Sequence, residues 1–254
     1  MLLVVDVGNS QTVLGLFDGR ELTQHWRIAT EVQRTGDELA ALVDTLLGIE
    51  DLDRRAVTGL ALASVVPRLN GEYARLANKY LGVEPLVVGP GVKTGMPIHT
   101  NNPREVGADL IVDAVAAYEQ YGGPCVVVDF GTATTFGAVT GRGEYLGHAI
   151  APGIVVSMEA LVLRAAKLPL VELVDPGSVI GKTTVHSMQA GAVFGFAGQV
   201  DGIVRRMRRE LGGEAVSVAT GGLSALIFGH AETLDHLDGF LTLRGLEIIY
   251  RRNQ

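Results

Sequence analysis

The sequence predicts an α/β protein built of two similar halves, and three observations predict it. The first is an internal repeat. Val4-Val5-Asp6-Val7-Gly8-Asn9-Ser10-Gln11-Thr12-Val13 is echoed by Val127-Val128-Asp129-Phe130-Gly131-Thr132-Ala133-Thr134-Thr135-Phe136, with Asp6 and Asp129 standing 123 residues apart in a chain of 254. The second is the alternation of short β-branched runs with stretches of helical periodicity. The third is glycine, 33 of 254 residues or about 13%, against a usual share of roughly 7%. Such an excess points to many tight turns or to close backbone approach to a ligand.

The elements follow in order. Val4 to Val7 reads as a buried strand whose Asp-x-Gly marks a turn, and Val13 to Phe17 is the returning strand, closed by Asp18-Gly19. Glu38 to Leu47 is an amphipathic helix with Gly48 as its stop. Ala61 to Val66 reads as a strand closed by Pro67, and Leu86 to Val88 as another. Leu110 to Tyr118 is a helix with Asp109 as its N-cap. The second half opens as the first does, with Phe136 to Val139 returning towards Gly141-Arg142-Gly143. Val155 to Ala166 and Ser187 to Leu211 are helical. Ala215 to Thr220 is a late strand that runs into Gly221-Gly222 and a short helix from Leu223. Turn residues cluster at Gln120-Tyr121-Gly122-Gly123-Pro124, which divides the chain into 1–120 and 121–254.

Composition excludes several function classes. Hydrophobic residues make up 47% and charged ones 19%, enough for a packed core and too apolar for disorder. A net charge of −7 argues against a nucleic-acid partner. The one basic run, Arg205-Arg206-Met207-Arg208-Arg209, reads as the solvated face of a helix. One cysteine, Cys125, cannot form an internal disulfide. The N-terminal apolar run lacks a basic flank and ends at Asp6, and no segment approaches the roughly 18 apolar residues of a membrane span. A soluble, cytoplasmic protein without a membrane partner is expected. His25, His99, His148, His186, His230 and His236 show no metal-ligand spacing, and no Gly-x-Ser-x-Gly elbow suggests acyl transfer.

Phosphate chemistry is what remains. A carboxylate at a strand end beside glycine suits a hydrated Mg²⁺, and glycine lets backbone N–H groups approach phosphate oxygens. One such turn could be an ordinary hairpin; two at half-chain spacing, each trailed by hydroxyl residues, point to phosphate. Gly221-Gly222 is either a third approach site, suited to the nucleoside end of a nucleotide, or a helix-start loop. The segment Gly177-Ser178-Val179-Ile180-Gly181-Lys182-Thr183 resembles a P-loop but has three residues between its glycines where that motif has four. It also follows Val171 to Asp175, which carries two acids and makes a poor buried strand. Asp109, at a helix start, is placed both for capping and for chemistry.

These segments together resemble the type III pantothenate kinases, of the acetate kinase, sugar kinase, heat-shock 70 and actin superfamily. The resemblance spans nearly the whole chain. It is carried by Asp6 to Ser10, Ser64-Val65-Val66-Pro67, Val88-Gly89-Pro90-Gly91, Asn102 to Asp109 and Val128 to Thr135. Pro152-Gly153-Ile154, Arg164 to Pro169, Gly181-Lys182-Thr183-Thr184 and Ala219 to Leu223 complete it. It implies a duplicated ribonuclease-H-like fold, with mixed sheets flanked by helices, and ATP-dependent phosphorylation of pantothenate, the first step towards coenzyme A. Asp6, Val7, Gly8, Asn9, Ser10, Gln11, Thr12 and Val13 would hold the ATP phosphates, with Asp6 on Mg²⁺, and Thr132 would contact ATP. Asp129 would bind a monovalent cation, K⁺ or NH₄⁺. Asp109 would accept the proton of the pantothenate hydroxyl. Thr100, Gly107, Ala108 and Leu110 would line the acceptor, and Thr184 would reach it across a homodimer interface.

Four positions depart from the family pattern. Leu110 stands where Arg is usual, Thr100 where Tyr is common, His148 where a second Gly is usual, and Ser10 where Thr is commoner. The first three lie on the acceptor side. They leave open a relative that phosphorylates a different small hydroxylated acceptor, or a regulatory protein that binds ATP without turnover.

Overall fold

The computed structural model describes residues 1–254. The chain forms two compact units: Met1–Gly95 with Asn102–Ala116 and Thr242–Gln254, and Met96–Asn101 with Ala117–Leu241.

The first unit is a five-stranded sheet in the order β3-β2-β1-β4-β5, made of β1 (Leu2–Val7), β2 (Gln11–Asp18), β3 (Glu21–Ala29), β4 (Gly59–Ser64) and β5 (Pro85–Val87). The first three strands form an antiparallel meander, and β4 and β5 add in parallel beside β1. Leu3, Val5 and Val7 of β1 alternate onto one face. There they pack with Leu39, Val43 and Leu47 of α1 (Gly36–Ile49) and Leu69, Tyr73 and Leu76 of α2 (Pro67–Leu76). The other face meets the chain's last helix, where Gly15 gives Leu243 room against Val4.

The second unit repeats this plan. Its sheet, in the order β10-β9-β6-β7-β8, holds β6 (Cys125–Phe130), β7 (Ala133–Val139), β8 (Tyr145–Pro152), β9 (Val216–Thr220) and β10 (His236–Leu237). Again the first three strands are antiparallel and the last two join in parallel beside the central strand. Val126, Val128 and Phe130 pack against Ile154 and Met158 of α4 (Ile154–Arg164) and Met188, Val193 and Val200 of α5 (Thr184–Glu210). Cys125 opens β6, wholly buried, and burial pushes its thiol up to about 12.

Three of the remaining helices are α3 (Ala108–Tyr121), α6 (Ser224–Phe228) and α7 (Leu241–Arg252). Several sequence expectations change in detail. Helix α1 runs through Gly48, and its start is a capping box in which Thr35 and Glu38 satisfy each other's backbone N–H. Pro67 does not simply close a strand: it opens α2, where its missing N–H costs no helical bond. Asp109 is not an N-cap but lies within the first turn of α3. The basic run is only partly a solvated face, because Arg208 reaches inward to the Ala215 carbonyl at 2.8 Å and the Ser217 hydroxyl at 3.0 Å.

Candidate active site

In the first unit the central strand β1 ends at Val7, and Asp6 stands one residue before that end, flanked by Ala63 on β4 and Val13 on β2. The chain turns over Gly8 to Gln11, with the Gly8 N–H donating to the Gln11 carbonyl at 3.0 Å. A Cβ on Gly8 would lie 2.9 Å from that oxygen, so a side chain there would spread the turn. Asn9, Ser10 and Gln11 are exposed, while Thr12 is buried beneath them.

The same unit holds Asp109. Asn102 organises the approach: its Oδ1 accepts the Arg104 N–H and its Nδ2 donates to Glu105 at 2.6 Å. Gly107 follows, and a Cβ there would collide with the Asp109 carboxylate. Asp109 Oδ1 accepts the Leu110 N–H, its neighbour's amide, at 2.9 Å. The carboxylate is partly exposed, as are Gly107, Ala108 and Leu110.

The second unit presents the matching turn. Asp129 stands one residue from the end of β6, between Thr135 and Thr220, and Gly131 donates to the Ala133 carbonyl at 3.1 Å. Its carboxylate is set close to two glycines. A Cβ on Gly131 would lie 3.3 Å from it, and one on Gly221, at φ +91°, would collide with it. Gly221 is fixed in turn by Ser224, whose hydroxyl donates to the Gly221 carbonyl at 2.7 Å. Thr132 is exposed at the turn's tip.

Thr184 is placed elsewhere in the second unit. It is the first residue of α5, next to the N-cap Thr183, and lines an open groove of about 810 Å³ with Lys182, Ser187, Met158, Leu161 and Phe196. The segment 177–183 is the irregular lead into α5 and follows no strand, so it lacks the framework of a P-loop. Thr100 and His148 belong to the second unit too. Their Oγ1 and Nδ1 atoms are buried without a hydrogen-bond partner, and the His148 ring lies 6.2 Å from that of Tyr145.

No group of three or more His, Cys, Asp or Glu side chains gathers into a metal cage. The single carboxylates Asp6 and Asp129, each beside a glycine turn, fit a cation whose remaining ligands come from phosphate and water. They do not form a protein-walled divalent site.

Two mixed sheets of one topology, each with a carboxylate and a glycine turn at the end of its central strand, define a duplicated α/β fold of the actin-like type. Full-length structural similarity agrees. The ethanolamine utilization protein EutJ from Carboxydothermus hydrogenoformans superposes with a TM-score of 0.59 at 16% identity, over 97% of this chain and 89% of that one. Sequence comparison is more specific. The type III pantothenate kinase family model matches residues 2–206. Proteins of that name from Moorella thermoacetica and an Exiguobacterium species are 56% and 53% identical, over all of both chains in each case. The chain belongs to the type III pantothenate kinase family.

Proposed function

We propose that this protein transfers the γ-phosphoryl group of ATP to the hydroxyl of pantothenate. The observation that carries the reading is family membership, with full-length relatives of that name, in a chain that holds both Asp-x-Gly turns, the Gly107-Ala108-Asp109 segment and Gly221-Gly222. Phosphoryl transfer asks a protein for positioning and charge neutralisation rather than covalent chemistry. Asp6, Val7, Gly8, Asn9, Ser10, Gln11, Thr12 and Val13 hold the ATP phosphates, and Thr132 contacts the nucleotide. Mg²⁺ on Asp6 and a monovalent cation on Asp129 supply charge neutralisation when bound. Asp109 accepts the acceptor's hydroxyl proton, a role its partly exposed carboxylate supports. Gly107 and Ala108, which bring little or no side chain, leave room for the acceptor, and Leu110, Thr100 and Thr184 complete its binding.

The working form in this reading is a homodimer. Leu163, Ile180, Leu170, Val179 and Ile150 of the second unit are 64–82% exposed, bare apolar side chains that a second copy would cover. Thr184 then serves the other copy's acceptor. Mixing Asp109→Asn chains with Thr184→Ala chains should restore part of the activity in verified heterodimers; no recovery would count against the shared site.

The decisive experiment is a coupled ADP-release assay with pantothenate and a panel of other small hydroxy acids, followed by identification of the phosphorylated product. Turnover on pantothenate at low KM supports the assignment. Preference for another acceptor, with Leu110→Arg shifting the preference back, would make Leu110, Thr100 and His148 the cause. ATP binding without turnover on any acceptor would leave a nucleotide-binding protein of another role.

A further inference from the structure

The turn after β1 is held from behind by a residue outside it. Thr30, the first residue past β3, donates its backbone N–H to the Ser10 carbonyl at 3.0 Å and its hydroxyl to the Gly8 carbonyl at 2.8 Å. A hydroxyl has one hydrogen. With that of Thr30 engaged by Gly8, the 2.8 Å bond between the Thr30 and Thr12 hydroxyls is donated by Thr12. Thr12 is itself 1% exposed. A one-way chain results, from Thr12 to Thr30 to Gly8.

The consequence lies in the peptide planes. In a planar trans peptide the carbonyl and the following N–H point to opposite sides. Thr30 draws the Gly8 and Ser10 carbonyls towards itself, which turns the N–H groups of Asn9 and Gln11 away from it. Those are donors a phosphate-binding turn needs to present. Nothing within the turn forces that orientation, since its own internal bond engages only the Gly8 N–H and the Gln11 carbonyl.

We propose that Thr30 is a positioning residue for the nucleotide: through the Gly8 and Ser10 carbonyls it holds the turn in its phosphate-receiving conformation. The proposal rests on the reading that this turn binds the ATP phosphates. Thr30→Val keeps the N–H bond to Ser10 but removes the hydroxyl. It should raise the KM for ATP about 5- to 30-fold, leave the KM for pantothenate and the affinity for adenosine within about twofold, and be reversed by Thr30→Ser. A merely structural role would lower stability without separating ATP from adenosine. An ATP KM within twofold of wild type, an equal loss for adenosine, or failure of Thr30→Ser to recover ATP binding would each overturn the proposal. If Thr30→Val does not fold, Thr30→Ala faces the same criteria with less crowding. Asp6→Asn separates the two possible failures. Loss of ATP affinity in Asp6→Asn but not in Thr30→Val leaves the turn a nucleotide site and refutes the positioning role; no loss in either refutes the phosphate reading itself.

Discussion

The turns after β1 and β6 occupy the same place in two sheets of one topology, yet they are built differently. Val7 pairs with Thr12 across the first, which spans four residues, whereas Phe130 pairs with Thr134 across the second, which spans three. One backbone bond backs each: Thr30 donates to Ser10 at 3.0 Å, and Gly153 to Thr132 at 3.1 Å. Beyond that bond the two diverge. Thr30 adds a hydroxyl that pairs Thr12 and Gly8. Gly153 adds nothing, and a Cβ there would run into the Gly131 and Thr132 carbonyls. Thr134, the counterpart of Thr12, is left wholly buried with its hydroxyl unpartnered. Duplication has preserved the path of the backbone, and single side chains decide how firmly each turn is held and what it can present.

The largest expected effect tests whether the acceptor chemistry belongs to the first unit. Asp109→Asn keeps the shape and the bond to the Leu110 N–H but removes the base, so kcat should fall about 10²- to 10⁴-fold with ATP affinity nearly unchanged. Near-normal turnover in steady-state kinetics would reduce Asp109 to a helix residue. Next come the two turn carboxylates. Asp6→Asn should lower kcat/KM for ATP about 10²-fold at any K⁺ concentration, because its proposed partner is the Mg²⁺-nucleotide. Asp129→Asn should instead raise the K⁺ needed for half-maximal activity about tenfold, with much of the rate regained at high K⁺. Identical cation profiles for the two variants would erase the functional contrast between the turns.

Smaller effects probe the backing. Gly153→Ala drives a Cβ into backbone that cannot rotate away, and should destabilise by about 2–3 kcal/mol. At roughly 2–4 °C per kcal/mol for a chain of this size, thermal melting should show a fall of about 4–12 °C. An unchanged Tm would mean the second turn shifts freely. The smallest and most discriminating pair is Thr12→Val against Thr134→Val. The first breaks a buried hydroxyl chain and should cost about 1–2 kcal/mol. The second removes an unpartnered buried hydroxyl and should be neutral or slightly stabilising. Equal losses in denaturant melts would show that the two threonines are held alike.

The central strands and both turns were legible because their signal is local: a β-branched run, a carboxylate and a glycine, seen twice. The spacing misled only inside the second turn. A constant offset of 123 aligns Thr12 with Thr135, whereas the pairing aligns it with Thr134, because that turn is one residue shorter. Strand β3 was missed although Leu22, Trp26 and Ile28 alternate with polar residues, the mark of an outer strand buried on one side. Helix α7 was missed because Gly245 interrupts it. That glycine is there for contact, since a Cβ would strike the Val112 carbonyl. Gly48, by contrast, touches nothing and stops nothing. Thr30 could not be read from the motif it serves. It is twenty residues away, brought to Ser10 only when β3 folds back along β2.

Cys125 gives the second unit a property the first lacks. It is the chain's one thiol, sealed at the head of β6 between Val139 and Val216, and with its proton held up to about 12 it offers alkylating reagents no thiolate. Reagent can reach it only while that central strand is detached. Its labelling rate at pH 8 is therefore the rate for a free cysteine scaled by the fraction of time the unit spends open, when reclosing outpaces reaction. Each molecule thus carries a built-in clock for the breathing of one half of the protein, and ligands that steady that half will slow it.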